Sequence, residues 1–355
     1  MEGLTVDLSA YAGAKVLVTG HTGFKGSWLC EMLLLSGAEV HGYALPPPTR
    51  PSLFGQLSLS RRIASHTISD VRDLASLAGT VGRLQPDYVF HLAAQPLVRE
   101  SYRRPAETFD VNVMGTVNLL EAVRRECRRQ CSVVCVTTDK CYENDDSGRA
   151  FRETDPLGGS DPYSASKGAC EIAIASYRRS FFPEGDVRVA SARAGNVIGG
   201  GDWARDRIVP DAMRSFLSGK PLIVRNRRST RPWQHVLEPL SGYLALGAAL
   251  RRDGRFAGAF NFGPDARTVR TVRDLVAELR RSFPSASVSS IEDPAAPREA
   301  KQLTLDSGKA AEMLGWRPKW GFAKTVRMTA LWYRAVADGA GARETTDGQI
   351  AEFMK

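Results

Sequence analysis

Residues 15–36, KVLVTGHTGFKGSWLCEMLLLS, decide the fold of this chain. The segment opens with an apolar, β-rich run that is typical of a central parallel strand, and it closes with a helical pattern. Between these two parts, Gly20, Gly23 and Gly26 are spaced for a tight turn, for close approach of the backbone to a diphosphate and for packing of helix on strand. The segment therefore predicts a strand, turn and helix that bind a dinucleotide.

Strands and helices alternate along the first half of the chain. The pattern predicts strands at 15–20, 39–45, 88–93, 132–137 and 188–192, and helices at 26–36, 74–84, 105–128 and 162–181. This alternation is typical of βαβ units, so we expect an α/β fold with a doubly wound parallel sheet of the Rossmann type. Ligands of such sheets bind at the carboxyl ends of the strands, which lie near Thr19, Ala93, Thr137 and Ala192.

The second half of the chain differs in composition. Beyond Asn196, glycine, arginine and proline become frequent, and the predicted helices are shorter, at 208–218, 237–250 and 271–281. We interpret this part as a smaller C-terminal substrate-binding lobe. The dinucleotide-binding domain is expected to span 1–193, with 236–262 also belonging to it, and the substrate-binding lobe to span 194–235 and 263–355.

Composition indicates an ordinary globular protein, since 43% of its 355 residues are hydrophobic and 25% are charged. The formal net charge of +9 would suit a phosphate-bearing ligand or nucleic acid, but the basic runs at 124–130 and 225–231 are more typical of solvated faces. We therefore expect no nucleic-acid partner.

The acidic start of the sequence and its lack of a long apolar run predict a cytoplasmic protein without a membrane partner. Cysteines and histidines show no metal-ligand spacing, so no metal site is predicted.

A tyrosine and a lysine one helical turn apart, Tyr163 and Lys167, stand at the start of the predicted helix 162–181. Their side chains project from one face of that helix. An ammonium beside a phenol favours the phenolate, which would bring the pKa of Tyr163 down from about 10 towards neutrality. Thr138, at the end of its strand, adds a hydroxyl for the same substrate oxygen. These residues predict a proton-abstracting site, although the same spacing also occurs in helices with no catalytic role.

Five motifs follow one another along the chain: GHTGFKG at 20–26, HLAAQPLVR at 91–99, VTTDKCYEN at 136–144, PYSASK at 162–167 and ARAGNVIGGGDW at 192–203. In this order they resemble the extended short-chain dehydrogenase/reductase family over nearly the whole chain, and residues 305–326 resemble its carboxyl-terminal signature. Within the family, the segments 138–144, 155–168, 193–203 and 231–243 are similar to the branch that dehydrates CDP-glucose rather than to the dTDP-glucose or GDP-mannose branches.

The resemblance implies an activity and a cofactor. It implies a lyase that removes water from a nucleotide hexose, CDP-glucose in this branch, through transient oxidation at carbon 4 by bound NAD. A 4-epimerase or reductase of the same family is an alternative, and a non-catalytic NAD-sensing protein is another. Asp139 and Lys140 favour dehydration, because an epimerase needs no acid and base for elimination.

The residues that would bind NAD also follow from the resemblance. They are Gly20, Thr22, Gly23, Phe24, Lys25 and Gly26 at the diphosphate, Asp70 and Val71 at the adenine, and Leu92, Ala93, Ala94, Asn112, Tyr163 and Lys167 towards the nicotinamide. The acidic residue that usually binds the adenosine ribose is missing after the second strand. Arg50, in the loop that follows, leaves NADP open as an alternative.

The resemblance further implies the catalytic residues, which are Thr138, Asp139, Lys140, Tyr163 and Lys167. Tyr163 would be the base at carbon 4, while Asp139 and Lys140 would be the acid and base of water elimination. The nucleotide sugar would contact Gln95, Arg99, Asn196, Arg207, Arg231, His235 and Arg298. Surface ion pairs would account equally well for the arginines other than Arg231, and a buried structural role would account equally well for His235.

A homodimer is also expected. The helices predicted at 105–128 and 162–181 carry apolar or small residues that could pair across a two-fold axis, namely Leu119, Leu120, Ala122, Val123, Ala165, Ala169, Ile172 and Ala173. The alternative is that these residues bury only against the sheet of their own chain.

Overall fold

A computed structural model describes residues 8–144, 147–183, 185–224, 226–265, 269–290 and 303–355. The helices are α1 (Phe24–Leu35), α2 (Leu53–Gln56), α3 (Leu74–Leu84), α4 (Val98–Arg103), α5 (Pro105–Phe109), α6 (Gly115–Glu126), α7 (Pro162–Ser180), α8 (Ile208–Leu217), α9 (Leu237–Arg252), α10 (Val272–Ser282), α11 (Gly308–Leu314), α12 (Phe322–Ala337) and α13 (Ala342–Met354). The main strands are β1 (Lys15–Thr19), β2 (Glu39–Ala44), β3 (Ser65–Ile68), β4 (Tyr88–His91), β5 (Cys131–Val136), β7 (Val187–Ala194) and β12 (Ala259–Phe262). Shorter strands are β6 (Ala150–Phe151), β8 (Val197–Ile198), β9 (Leu222–Val224), β10 (Thr230–Arg231), β11 (Gln234–His235), β13 (Arg270–Thr271), β14 (Val288–Ser290) and β15 (Thr304–Leu305).

The main strands form one parallel sheet of seven strands in the order β12-β7-β5-β4-β1-β2-β3. This arrangement confirms the predicted Rossmann-type, doubly wound α/β class. Because β1 lies between β2 and β4, the direction of winding reverses next to β1. In open sheets of this kind, ligands bind in the crevice at the carboxyl ends of the strands on either side of that reversal. The topology therefore places the ligand cleft above the end of β1.

Both faces of the sheet are covered by helices, as the apolar composition of its strands requires. Val16 and Val18 of β1 belong to the core that contains α1 and α9, whereas Leu17 belongs to the core that contains α3, α6 and α7. Successive side chains of a strand point to opposite faces, so the apolar residues of one strand contribute to both cores. The helix predicted at 74–84 and the observed α3 have the same bounds.

One predicted helix is broken. The expected helix at 105–128 consists of α5, a π-helical turn at Asp110–Met114 and α6. The turn is held by Asn112, whose Oδ1 accepts the backbone N–H of Gln95 at 2.8 Å and whose Nδ2 donates to Ser166 Oγ at 2.9 Å. These side-chain bonds tie the turn to the loop after β4 and to α7, and π turns of this kind commonly mark functional sites.

The later part of the chain adds an edge strand to the sheet and a helix to one of its faces. Strand β12 pairs with β7 at the sheet edge, and α9 packs against the sheet through Leu240 and Leu244. The buried Glu238 carboxylate of α9 accepts the backbone N–H of Lys319 and Trp320, at 3.0 and 2.6 Å, which fixes the start of α12. No helix in the described ranges is long and apolar enough to cross a membrane. The domain boundaries given above stay predictions.

Candidate active site

The glycine turn after β1 has the shape of a diphosphate cradle. Gly20 has a φ of +76°, and a Cβ there would lie 2.7 Å from the backbone N of Ala93. A Cβ at Gly26 would lie 2.2 Å from the carbonyl oxygen of Gly20. Gly23 precedes α1 and no side chain caps the helix, so the first backbone N–H groups of α1 have no capping partner. Open N–H groups at a helix start bind phosphate, so this turn fits a dinucleotide.

The end of β2 carries neutral side chains where an acidic residue is usual. β2 ends at Ala44, and Leu45 follows with 54% of its surface exposed. The buried His21 fills the space beside this strand, since a Cβ at Gly42 would lie 2.4 Å from its ring. His21 Nε2 lies 2.7 Å from Nδ1 of His66. Burial lowers the pKa of His21 to about 4, so its ring is neutral at neutral pH.

The two residues predicted at the adenine lie just after β3. The Asp70 carboxylate forms an ion pair with Arg72 at 2.7 Å, and this hydrogen bond lowers the pKa of Asp70. Val71 is buried, and a Cβ at Gly115 would lie 2.7 Å from its Cγ2. Both side chains thus have local structural partners at the edge of the cleft.

The residues predicted towards the nicotinamide follow β4. Leu92 and Ala93 bond back to Thr19 through their backbone N–H groups, at 3.1 and 3.3 Å, which holds this loop over the end of β1. Ala94 is partly buried in the same loop. Gln95 accepts the N–H of Leu97 at 2.6 Å through its own side chain. The loop is therefore held by internal hydrogen bonds. The Gln95 side chain has hydrogen-bond partners within the protein itself.

A single 3₁₀ turn after β5 brings the predicted acid and base together. Thr138 caps this turn and donates to Asp139 Oδ1 at 3.0 Å. The same carboxylate oxygen accepts Lys140 Nζ at 3.1 Å, and Lys140 Nζ also donates to Asn196 Oδ1 at 3.3 Å. The other oxygen, Asp139 Oδ2, is buried with no hydrogen-bond partner within the described ranges. A buried carboxylate oxygen without a partner is costly, so this geometry suits a site where a ligand hydroxyl supplies the missing donor.

Helix α7 carries Tyr163 and Lys167 into the same cleft. Asp161 caps the helix by accepting Ser164 N–H at 3.0 Å, and Pro162 occupies the first helical position. Both side chains are buried, with 9% of Tyr163 and 5% of Lys167 exposed. The cap and proline fix the start of α7, so the orientation of this pair is determined by the helix itself.

The predicted lowering of the Tyr163 pKa is wrong for the protein without ligands. Burial raises the pKa of Tyr163 to about 12, and a hydrogen bond with the side chain of Thr138 offsets part of that effect. The Lys167 ammonium donates to the carbonyl oxygen of Val136 at 3.4 Å. Desolvation of the phenolate therefore outweighs the attraction that the sequence pattern suggested.

A buried polar network lies next to the turn at residues 138–140, and no local sequence pattern predicted it. Glu171 of α7 accepts Thr137 Oγ1 at 2.5 Å and forms an ion pair with Arg193 of β7 at 2.8 Å. Arg193 also donates to the hydroxyl of Tyr142 at 2.7 Å. Because these side chains join β5, β7 and α7, they fix the positions of the strand ends that carry the site.

The predicted substrate residues are only partly brought together. Asn196 lies in the site beside Lys140, at 3.3 Å. Arg207 pairs with Asp202 at 3.1 Å, and Arg99 pairs with Asp206 at 3.6 Å. Arg231 is partly buried in β10. Arg298 lies outside the described residues.

His235 is packed among aromatic side chains. It is fully buried, and its ring lies 5.8 Å from that of Trp28 and 4.8 Å from that of Trp320, between ring centroids. Its Nδ1 accepts the backbone N–H of Leu237 at 3.3 Å. Burial lowers the pKa of His235 to about 3, which keeps the ring neutral. These contacts support the structural role weighed for this residue.

Two further residues belong to the cleft. The Lys25 ammonium donates to the hydroxyl of Tyr243 on α9 at 2.9 Å. The sequence motifs predict that Lys25 contacts the diphosphate. They assign no role to Tyr243, which lies in the segment 231–243. Their sequence separation of 218 residues explains why no local pattern could pair them.

Comparisons with known proteins agree with this geometry. The family model of GDP-mannose 4,6-dehydratase matches residues 17–329. A CDP-glucose 4,6-dehydratase from Salmonella typhimurium is 44% identical to this chain over 98% of each sequence.

Solved structures with bound NAD have the same fold. A dTDP-glucose 4,6-dehydratase from Streptomyces venezuelae with NAD bound has a TM-score of 0.77 and 26% identity, covering 93% of this chain and 99% of its own. A UDP-glucose 4-epimerase from Thermus thermophilus in complex with NAD has a TM-score of 0.76 and 27% identity, covering 90% and 99%. Dehydratases and epimerases thus share this architecture, and side chains in the cleft must distinguish them.

Proposed function

Because the chain belongs to the GDP-mannose 4,6-dehydratase family, we propose that it dehydrates CDP-glucose to CDP-4-keto-6-deoxyglucose. The enzyme is a lyase and NAD is its cofactor. NAD, when bound, accepts a hydride from carbon 4 of the sugar and returns a hydride to carbon 6, so the reaction is redox-neutral overall. The observation that carries the proposal is the turn Thr138–Asp139–Lys140, which holds an acid and a base beside Tyr163.

The chain's own residues account for cofactor binding. The glycine turn and the open amino end of α1 would hold the diphosphate, with Gly20, Gly23 and Gly26 leaving room for it. The loop Leu92–Ala93–Ala94 would line the path from this turn towards Tyr163, because it is bonded to the end of β1. Arg50 is exposed, and nothing in its placement favours the NADP alternative.

Oxidation at carbon 4 requires a base at the hydroxyl, and Tyr163 is assigned that role. Thr138 lies within hydrogen-bonding reach of the phenol and would hold the same hydroxyl. The hydrogen bond with Thr138 and the positive charge of Arg207 act against the burial that raises the Tyr163 pKa. Lys167, and the oxidised nicotinamide when NAD is bound, would add to that positive charge. A ketone at carbon 4 then acidifies the proton at carbon 5.

Water elimination requires a base at carbon 5 and an acid at the carbon 6 hydroxyl. Lys140 is assigned as the base and Asp139 as the acid. The buried Oδ2 of Asp139, which lacks a partner within the described chain, supports a role towards a substrate hydroxyl. Lys140 is the more exposed of the two, with 24% of its side chain accessible from the cleft. An epimerase requires neither group, and this pair is the specific observation against that alternative.

A nucleotide panel tests the proposed function. The protein with added NAD should form a 4-keto-6-deoxy product from CDP-glucose, and form it more slowly or not at all from dTDP-, UDP- and GDP-glucose. Product is measured by mass spectrometry and by trapping of the ketone. A 4-epimer without loss of water would establish the epimerase instead. The absence of any turnover with all four substrates, while NAD still binds, would support the non-catalytic alternative.

A homodimer is proposed on a corrected surface. Leu119, Leu120, Ala122 and Val123 of α6 are fully buried in their own core, so they cannot pair with a second chain. Exposed apolar side chains instead lie on α4, α5, the π turn and α7, which pack on one another: Tyr102, Phe109, Met114 and Ile172. Ile172 is 62% exposed. Apolar surface of this kind is typical of an interface between copies of a chain.

The cytoplasmic location also stays a prediction.

Substitution of Ile172 tests this surface. Ile172→Arg should convert the dimer to a monomer at micromolar concentration, because each two-fold contact would gain two buried charges. Mass is measured by sedimentation or light scattering over a range of concentrations. Ile223→Arg, at an isoleucine of β9 that is 54% exposed, is the matched control and should leave the mass unchanged. A native protein that is monomeric at every concentration would rule out the dimer.

A further inference from the structure

Two of the six cysteines lie together at the end of the sheet opposite to the cleft. Cys127 follows α6, and Cys131 begins β5. Their side chains are hydrogen bonded to each other. Strand β5 then runs for six residues, a length of about 20 Å, before the chain reaches the turn at residues 138–140. The cysteine pair is therefore remote from the site of sugar chemistry.

The two thiols differ in exposure. Cys131 is fully buried, whereas Cys127 is partly exposed, and the other four cysteines are buried. The charged groups that act on Cys131 are Arg251 and Asp87, which pair with each other at 2.9 Å. Cys127 borders a surface groove of about 270 Å³ between the end of α6 and the segment that follows α7. A reagent in solution therefore reaches Cys127 first and Cys131 only after it.

The groove beside Cys127 carries an excess of positive charge. Its lining includes Arg124, Arg128 and Arg129, against one acidic side chain among the described residues, Asp186. Arg124 pairs with Glu121 at 2.7 Å, but the exposed Arg128 and Arg129 form no ion pair within the described ranges. Guanidinium groups bind carboxylates through paired hydrogen bonds. The groove therefore fits a small molecule that carries carboxylates next to the sulfur of Cys127.

The surroundings of Cys127 favour its thiolate. The neutral thiol donates to the carbonyl oxygen of Arg129 at 3.4 Å, which is a weak hydrogen bond. The hydrogen bond from Cys131 is the largest cause that lowers the pKa of Cys127 to about 7, and the charges of Arg128 and Arg129 add to it against burial. About half of Cys127 is then thiolate at pH 7, whereas an ordinary thiol is about a few per cent thiolate. The thiolate is the form that attacks disulfides.

We propose that Cys127 and Cys131 form a redox-active pair that exchanges with small disulfides carrying carboxylate groups. The Cys127 thiolate attacks one sulfur of the small disulfide, forms a mixed disulfide and releases the other half as a thiolate. Cys131 then gives up its proton and attacks the Cys127 sulfur, which closes a disulfide within the protein and releases the second half. The small disulfide gains two electrons, the two protein thiols lose them, and their two protons pass to the released thiols.

Dithiobis-nitrobenzoate, a disulfide with two carboxylates, tests the pair. Each exchange releases one coloured thiolate, and mass spectrometry shows whether the other half stays on the protein. Native protein should release two equivalents per chain and keep no label. Cys131→Ala should release one equivalent and keep one label, because the mixed disulfide cannot be resolved. Cys127→Ser should release none on the same timescale, since the remaining thiols are buried.

Dithiodipyridine, an uncharged disulfide of similar size, isolates the role of the arginines. Native protein should react faster with the carboxylated reagent, and added salt should reduce this preference. In Arg128→Gln/Arg129→Gln, the ratio of the two rate constants should fall by about fivefold or more. The ratio does not depend on the fraction of thiolate, so it reports binding in the groove. The rate with the uncharged reagent should rise with pH around a midpoint near 7 in native protein and near 8.5 in Cys131→Ala.

The outcomes decide each part of the proposal. Native protein that releases one equivalent and keeps its label would overturn the pair, because Cys131 would then not attack Cys127. An unchanged ratio in Arg128→Gln/Arg129→Gln would overturn the preference for carboxylates. Should Cys131→Ala fail to fold, Cys131→Ser gives the same count of released and retained label. None of these measurements uses NAD or CDP-glucose, so their failure is distinct from failure of the proposed function.

Discussion

Tyr163→Phe should abolish turnover of CDP-glucose while leaving cofactor and substrate binding nearly unchanged. The substitution removes the phenol oxygen that accepts the carbon 4 proton, and the aromatic ring keeps its place at the start of α7. Loss of a general base typically costs about 10²-fold to 10⁴-fold in rate, and no other phenol is bonded to Thr138 in the described chain. Single-turnover assays with NAD and CDP-glucose would measure the loss.

Tyr177→Phe is the matched control for this prediction. Tyr177 lies on the same helix, and its hydroxyl lies 3.5 Å from Glu121 Oε2, away from the cleft. It should show normal turnover. Dissociation constants for NAD and CDP-glucose should agree within about fivefold between native protein and Tyr163→Phe, since one hydroxyl contributes about 1 kcal/mol to the binding of either ligand. Near-normal turnover of Tyr163→Phe would show that the motif at 162–167 has been misinterpreted.

Local sequence patterns predict the central sheet well because each strand and its covering helix bury a continuous apolar run. The observed β5 and β7 begin one residue before their predicted starts, and α3 has the predicted bounds. The polar strand β3, with the sequence SHTI, gave no such signal. The break at Asp110–Met114 depends on bonds from Asn112 to Gln95 and Ser166, which exist only after folding.

The candidate site, like the sheet, could be predicted only in part. Residues at strand ends and at the start of α7 could be predicted, because motifs place them at the cleft whatever surrounds them. Their energetics could not be predicted: burial raises the pKa of Tyr163 to about 12, although its sequence neighbour Lys167 suggested the opposite. Contacts between distant segments, such as Lys25 with Tyr243 and Glu171 with Arg193, were equally invisible to a local pattern.

Lys140→Met should separate the two halves of the reaction. Oxidation at carbon 4 needs only Tyr163, Thr138 and Lys167, so the variant should still produce reduced cofactor when CDP-glucose is added to its NAD complex. It should then stop, because methionine cannot take the carbon 5 proton. Reduced cofactor would accumulate on the protein to nearly one equivalent, measured by its absorbance, while 4-keto-6-deoxy product falls by about 10²-fold or more.

Exchange of the carbon 5 proton distinguishes a base from a structural ion pair. The Lys140 ammonium lies 3.1 Å from Asp139 Oδ1 and 3.3 Å from Asn196 Oδ1, contacts that a purely structural lysine would also make. If Lys140 is the base, Lys140→Met in deuterated water should leave carbon 5 unlabelled in the recovered sugar. Lys220→Met, the same change at an exposed lysine after α8, should incorporate deuterium like the native protein. Labelling of carbon 5 at the native rate in Lys140→Met would assign the base to another group and leave Lys140 with the ion pair alone.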